Sequence, residues 1–401
     1  YKLIDKMNIF AKITGIKYTP FLCRKLNTFS FDVIDKALSK EATFITITNN
    51  SQIAVSWWVS PKRTRSYPYS RVFKNYLMGS LSGDSEKICH ANFEIARKWT
   101  EMIKIFLDEN NLSMSNIDLI GSHGQTIWHI HGDSTLQIGE SSVLAEEFKV
   151  PVVSDFRVRD VAAGGSGAPL VPYVDYILFK DYGQTFLVLN IGGIANFTIV
   201  PKNAKSVDDI YALDAGPGVA LIDAAAFIAA DGEQTFDKDG ILAKKGKIRE
   251  DILNNLMKHP YIKSPMPKST GREVFGVHFV EKIIKDYNLN KENLCDLVAT
   301  LTRFTVEAIY SNYEQFFAEK YPLDEIIVSG GGANNPVIMQ HLKDIFCGVK
   351  ISGSDDYGIN ADAKEAFAFA ILAAHTIWRQ AGNIPNVTGA KHPVVLGKIT
   401  L

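Results

Sequence analysis

Cysteine is scarce in this chain: there are four in 401 residues (Cys23, Cys89, Cys295 and Cys347), and no two of them form a Cys-x-x-Cys pair. That pattern excludes the common zinc modules and a disulfide-stapled scaffold, and it predicts a reducing compartment, with the cytoplasm as the default. An excess of charge of one sign is also missing. The 43 basic and 44 acidic residues leave a formal net charge of −1, so no global field draws the protein to nucleic acid or to an anionic membrane, and neither is expected as a partner. Any anion it binds must be held locally. No apolar run approaches the roughly 18 to 20 residues that span a bilayer. The first twenty residues, interrupted by Asp5 and several lysines, lack the continuous apolar centre of a signal peptide. The chain opens on Tyr1 and not on Met, so its natural N-terminus is expected to lie upstream. Neither a low-complexity tract nor an internal sequence repeat is visible.

What is present reads as a soluble globular protein, with 46% apolar and 22% charged residues over a length sufficient for about two domains. Residues 86–110 carry apolar side chains at helical spacing. From Ile117 the sequence IDLIGSHGQ reads as a buried strand entering a glycine turn, and a further strand at Val150–Asp155 follows the helical SSVLAEEF. Strand, helix and strand in alternation predict an α/β class with a parallel or mixed sheet. Near Gly183 a second sheet is expected to begin, because QTFLVLNIGGIANFTIV gives two β-rich runs joined at Gly192-Gly193, the pattern of a hairpin. A strand ending at Asp214, a helix from Val219 to Ala230, a polar stretch over 231–249, a long helix at 293–318, the strand EIIVSGGG and a helix after Pro336 complete this reading.

Glycine is concentrated where chemistry is expected. Gly121-Ser122-His123-Gly124, Gly164-Gly165-Ser166-Gly167, Gly192-Gly193, Asp214-Ala215-Gly216-Pro217-Gly218 and Gly330-Gly331-Gly332 all fall near predicted strand ends. There glycine lets main-chain amides approach a phosphate or sugar, although a tight turn alone would explain any single cluster. No P-loop and no Gly-x-Gly-x-x-Gly fingerprint occurs, and Gly165-Ser166-Gly167 is too short for a nucleophile elbow. His123, His129 and His131 lack the thiol or carboxylate spacing of a metal site, so polar contacts or exposure are expected for them. Asp214, before Gly-Pro-Gly and a helix, reads either as a general base facing a cleft or as a helix-capping aspartate.

Seven blocks together resemble the anhydro-N-acetylmuramic acid kinases, and the related fungal levoglucosan kinases share most of them. The blocks are SHGQTIWH from Ser122, SDFRVRDVAAGGSGAPLVP from Ser154, LNIGGIANFT from Leu189, LDAGPG from Leu213, PKSTGREVF from Pro267, SGGGANNP from Ser329 and AKEAFAFA from Ala363. They occur in family order over residues 120–401. The resemblance implies an actin-like ATPase fold of the sugar-kinase and Hsp70 type, with two α/β domains around a central cleft. Residues 1–183, joined by 381–401, would form the first domain and residues 184–380 the second. It implies ATP and Mg2+ as cofactors, a 1,6-anhydro sugar as substrate, and a homodimer. Asp214 would activate the water that opens the anhydro bridge while O6 takes the γ-phosphoryl group. Gly192 and Gly193 would form one phosphate turn, Gly216 and Gly218 would also bind the cofactor, and Gly330, Gly331 and Gly332 would form the loop on the nucleotide side. Gln125, Arg157 and Glu365 would contact the sugar.

The N-terminal part departs from the family pattern. Family members carry a Ser-Gly-Thr-Ser-x-Asp-Gly-x-Asp phosphate hairpin, and the stretch from Leu26 to Asp35 aligns with it through Ser30 and Asp32, the latter also expected at the metal, but without its two glycines. Ala215 and Val219 likewise replace a Thr and an Asn. The expected activity is phosphorylation of 1,6-anhydro-N-acetylmuramic acid. Competing expectations are a levoglucosan kinase, a sugar-binding relative that has lost catalysis, and an actin-like ATPase without a sugar substrate.

Overall fold

The computed structural model describes residues 43–48, 52–57, 60–81, 83–359, 361 and 364–401. The chain divides into two compact units, one formed by the residues up to 170 together with 365–401, the other by 171–364. The expected phosphate hairpin at 26–35, with Ser30 and Asp32, lies outside the described residues.

The first unit is built on a six-stranded sheet. Strands β1 (Thr43–Ile47), β2 (Gln52–Trp57) and β3 (Ser60–Ser66) form an antiparallel meander. On the other side of β1 lie β4 (Leu119–Ser122), a parallel neighbour, and β7 (Val152–Ser154), parallel to β4; the C-terminal strand Lys398–Thr400 closes that edge antiparallel to β7. Strands β5 (Gln125–Ile130) and β6 (Ser134–Ile138) form a separate hairpin. The helix read at 86–110 spans Ser85–Glu109. Asp84 starts it by accepting a hydrogen bond from Lys87 N at 2.9 Å, and Ile95, Trp99, Ile103 and Phe106 recur along its buried face. The helix Lys364–Ile377 carries AFAFAILAA and buries every residue of that run.

The second unit holds a five-stranded sheet. Strands β8 (Phe186–Ile191), β9 (Ile194–Val200) and β10 (Tyr211–Pro217) form an antiparallel meander, and β11 (Glu325–Ser329) and β12 (Lys350–Gly353) follow in parallel on the far side of β8. The spatial order is β10-β9-β8-β11-β12, and in the first unit β3-β2-β1-β4-β7 follows the same scheme with the same strand directions. This shared order is the arrangement of an actin-like ATPase, and it is an internal repeat of topology without a repeat of sequence. The core gathers around the long helix Leu294–Phe316, whose Leu294, Leu297, Val298, Leu301, Phe304 and Ile309 are buried with Leu187, Leu189 and Phe197 of the sheet.

Three features differ from the sequence reading. Strand β10 does not end at Asp214 but continues to Pro217 through a bulge between Asp214 and Gly216, because Gly216 adopts φ +142° and absorbs the extra residue. The polar stretch at 231–249 contains the short helix Ile241–Lys245, started by Asp237, whose carboxylate accepts from Leu242 N and Ala243 N at 2.8 and 3.0 Å. Strands β1 to β3 were not anticipated, since no glycine or proline pair punctuates them and β3 reads SPKRTRS, a polar edge. Among the described residues no helix is long and apolar enough to cross a membrane.

Candidate functional site

In the second unit, β8, β10 and β11 run in one direction, so their C-terminal ends meet at one edge of the sheet. This is where open α/β sheets receive ligands. Three of the predicted glycine clusters stand there: Gly192-Gly193 after β8, Asp214 to Gly218 at the end of β10, and Gly330 to Gly332 after β11.

Asp214 occupies the bulge of β10. Its Oδ2 accepts from Ser269 Oγ and from Thr270 N, each at 3.0 Å. The bulge also frees main-chain carbonyls from the ladder, and side chains take them up: Tyr261 Oη donates to Asp214 O at 2.8 Å, Asn312 Nδ2 to Ala215 O at 2.9 Å, and Thr305 Oγ1 to Gly218 O at 2.8 Å. Burial pushes the Asp214 carboxyl above the ordinary carboxylate range. The two hydrogen bonds from Thr270 and Ser269 oppose that shift, with a smaller opposing pull from Lys268. Lys268 lies over the rings of Tyr261 and Phe316, at 4.8 and 5.6 Å from their centroids, and donates to Tyr261 O and Ile262 O. Its own burial lowers it to about 8, against the pull of Asp214. A carboxylate with one oxygen tied down and a cation nearby is the arrangement of a positioned base.

The same segment supplies Arg272. Its guanidinium lies on the Gly192-Gly193 turn, with Nη2 and Nε 3.2 and 3.3 Å from where a Cβ on Gly193 would stand. Arg272 also holds down the pKa of Asp223, which burial nevertheless raises to about 6. Asp223 lines a cavity of about 550 Å3 with Val219, Phe236, Asp237, Gly331 and Asn334, large enough for a nucleoside.

The glycines differ in what they do. Gly218 lets the helix Ala220–Ala229 start against the β8–β9 turn: Gly218 N and Ala220 N donate to Gly193 O at 2.9 and 3.2 Å, Val219 N donates to Gly192 O at 2.8 Å, and a Cβ on Gly218 would stand 2.1 Å from that carbonyl. The helix is thus capped by turn carbonyls, and the reading of Asp214 as its capping residue falls away. Gly330, at φ +81° and ψ 173°, would drive a Cβ to 2.6 Å from Asn190 Oδ1, and Gly332 packs on Ile191. Gly331 has open space around its Cα, and Gly192 is nearly as free.

In the first unit, Arg157 and Glu365 are electrostatic partners: burial raises the Glu365 carboxyl, and Arg157 lowers it. Arg157 donates from Nη2 and Nε to His123 Nε2 at 2.7 and 3.2 Å and from Nη1 to Gly167 O at 3.0 Å. His123 is 2% exposed, and its Nδ1 lies 2.7 Å from Gly124 O, so the ring is neutral with Nδ1–H donating; burial and Arg157 lower its pKa to about 3. Gln125 starts β5 and bonds Thr126 O at 3.2 Å. His129 and His131 are exposed, whereas His123 is buried. Among the described residues no group of three His, Cys, Asp or Glu side chains could hold a metal. Gly164 to Gly167 wrap the buried Asp160, which accepts from Gly167 N, Asn383 Nδ2 and Thr388 Oγ1. This cluster is architecture.

Sequence reasoning missed Lys268, Ser269, Thr270 and Arg272 as a group, although PKSTGREVF was singled out. It also missed Asn312 and Thr305, whose signal was a polar residue on an otherwise apolar helix face.

Residues 50–401 match the anhydro-N-acetylmuramic acid kinase family. The protein of that name from Caldanaerobacter subterraneus subsp. tengcongensis is 45% identical over 329 residues, covering 80% of this chain and 83% of its own length. The one from Francisella tularensis subsp. novicida is 42% identical over 344 residues, covering 84% and 89%. Among solved structures, component A of the (R)-2-hydroxyglutaryl-CoA dehydratase of Acidaminococcus fermentans aligns with 84% of this chain and 98% of its own, at 12% identity and a TM-score of 0.40.

Proposed function

The chain belongs to the anhydro-N-acetylmuramic acid kinase family, and on that footing we propose how its residues share the work of the reaction. The activity is ATP-dependent phosphoryl transfer to an alcohol, converting 1,6-anhydro-N-acetylmuramic acid and water to N-acetylmuramic acid 6-phosphate.

Asp214 is the base. Ser269 and Thr270 fix its Oδ2, leaving Oδ1 to take a proton from the water that attacks C1. As the C1–O6 bond breaks, O6 attacks the γ-phosphorus and ADP leaves. The rate gain comes from positioning and from stabilising charge on the transferring group. Arg272, lying on the Gly192-Gly193 turn, is the cation suited to that second task. The cavity beside Asp223, Phe236 and Gly331 takes the nucleoside. Arg157 and Glu365 hold sugar hydroxyls, Arg157 being kept in place by His123.

Mg2+ would accompany the nucleotide, as it does in phosphoryl transfer generally. Beside nucleotide phosphates Mg2+ needs only one or two protein carboxylates. Asp32 remains the residue proposed for it, and when bound it would neutralise charge on the β- and γ-phosphates.

The observation that carries this reading is Asp214 held by the two donors of the family segment PKSTGREVF. ADP release with Mg-ATP should depend on 1,6-anhydro-N-acetylmuramic acid and yield a 6-phosphosugar by mass. Release that is independent of sugar, or that responds to levoglucosan alone, would overturn it.

A further inference from the structure

The helix Lys364–Ile377 opens on two charged residues, Lys364 and Glu365, ahead of its apolar run. In the first turn of a helix the free main-chain amides carry partial positive charge, which favours an anion and opposes a cation. Lys364 therefore stands against the local preference, and it is buried as well. Its partner is Asp175, in the middle of the helix Val171–Phe179: Lys364 Nζ lies 2.9 Å from Asp175 Oδ1, with the two side chains 9% and 3% exposed. The other oxygen, Oδ2, accepts from Thr198 Oγ1 of β9 at 2.7 Å, and Thr198 is buried too.

Stability does not account for this group. Taking two charges out of water costs about as much as their attraction returns, so apolar side chains of similar size would fill the place as well or better. What the group does supply is position, because a cation paired with a carboxylate that is itself held has one place to sit.

That position matters for the next residue. The second unit ends at Lys364, and the returning segment of the first begins at Glu365. Consecutive residues on a helix do not share a face. Lys364 can thus pair with Asp175 while Glu365 lies in the field of Arg157, which lowers the carboxyl that burial raises. Glu365 is also partly exposed, as suits a group that meets a ligand.

We propose that Lys364 is a positioning residue for the kinase reaction: its pair with Asp175, backed by Thr198, fixes the first turn of the helix and so holds Glu365 where Arg157 and the sugar require it. The inference rests on the reading of Glu365 as a contact to sugar hydroxyls.

Removal of the whole group tests this, since loss of one partner alone leaves an unpaired buried charge and destabilises the protein for that reason. In the triple variant Lys364→Met, Asp175→Leu and Thr198→Val the melting temperature should stay close to that of wild type. KM for 1,6-anhydro-N-acetylmuramic acid should rise about tenfold or more, with KM for ATP within about twofold. Lys364→Gln with Asp175→Asn, which keeps polar contacts without charge, reads the same split should the apolar variant not fold. Glu365→Gln alone should raise the sugar KM comparably, and adding it to either variant should raise it little further, because both changes act at one group. A wild-type sugar KM in a folded variant, equal losses for both substrates, or losses that multiply when Glu365→Gln is added would overturn the proposal. If wild type does not turn over this sugar, or Glu365→Gln leaves its KM unchanged, the sugar reading of Glu365 fails by itself. Crystals of wild type and variant then decide the positioning: a wider separation of the Glu365 carboxylate from the Arg157 guanidinium upholds it, and an equal one overturns it.

Discussion

The main-chain N–H of Thr270 donates to Asp214 Oδ2 at 3.0 Å, which ties the proposed base to a loop 56 residues further along the chain. Among substitutions at position 270 only proline would remove this backbone donor, so the orientation of the carboxylate resists drift. Asp214→Asn keeps the shape and can still accept from Thr270, but it cannot take up a proton. Turnover should fall by about 10³-fold or more, while nucleotide affinity measured by calorimetry stays within about threefold. Near wild-type turnover in this variant would remove Asp214 from the mechanism.

The pH profile should carry the mark of Lys268. Asp214 works as the carboxylate, so kcat/KM rises with pH as it ionises, with an inflection above the ordinary aspartate value because burial raises it. Lys268 loses its charge near pH 8, where burial has brought it, and the rate should decline beyond that point. In Lys268→Met the alkaline limb should vanish and the acid limb should move upward, since a cation favouring the carboxylate is gone. Lys268→Arg should keep the acid limb where it is. Unchanged inflections in the Met variant would mean that the two groups are not coupled.

Much of this arrangement was legible because period and punctuation agree. The helix Ser85–Glu109, the hairpin at Gly192-Gly193 and the long helix Leu294–Phe316 follow directly from apolar spacing and glycine placement. Position on a strand was harder. Asp214 was identified as the strongest single candidate, yet the strand was expected to stop there, because a bulge depends on cross-strand register that one segment cannot reveal. Its partners were harder still: Ser269 and Thr270 sit 55 and 56 residues from Asp214, and nothing local links them. The common strand order of the two units was implied only through the actin-like fold of the resemblance, and no segment by itself shows it, because topology repeats here without the residues repeating.

The three consecutive glycines after β11 should not behave alike. Gly330 adopts φ +81° and ψ 173°, a region open essentially to glycine alone, and a Cβ there would also meet Asn190 Oδ1 at 2.6 Å. Gly330→Ala should therefore cost about 1–3 kcal/mol, read as a lower melting temperature. Gly331 has nothing within 4 Å of an added Cβ and lines the proposed nucleoside cavity. Gly331→Ala should leave stability within about 0.5 kcal/mol and instead raise KM for ATP several-fold. Equal behaviour of the two variants would show that the loop is not divided into a structural and a binding glycine.

The last expectation concerns acid stability and follows from the contact between His123 and Arg157. The imidazole is buried with its Nε2 accepting from a guanidinium, which lowers its pKa from the ordinary 6.5 to about 3. Above pH 6.5 both folded and unfolded chains carry it neutral, and the stability it contributes is fully present. As the pH falls below 6.5 the unfolded chain gains a proton that the folded chain refuses until about pH 3, so stability is lost progressively between those values. At pH 5 the loss is about 2 kcal/mol, which for a unit of this size lowers the melting temperature by roughly 4–8 °C. His375 is lowered to about 4 by its own burial and adds to the same trend, whereas Asp214, Asp223 and Glu365, raised by burial, run against it. His123→Gln isolates the contribution, because an amide oxygen can accept from Arg157 but does not titrate. Between pH 7 and pH 5 the variant should lose several degrees less than wild type, with His375 and the carboxylates common to both. If the two proteins lose the same amount, His123 is already protonated at pH 5, and its Nε2 cannot be the acceptor that holds Arg157 in place.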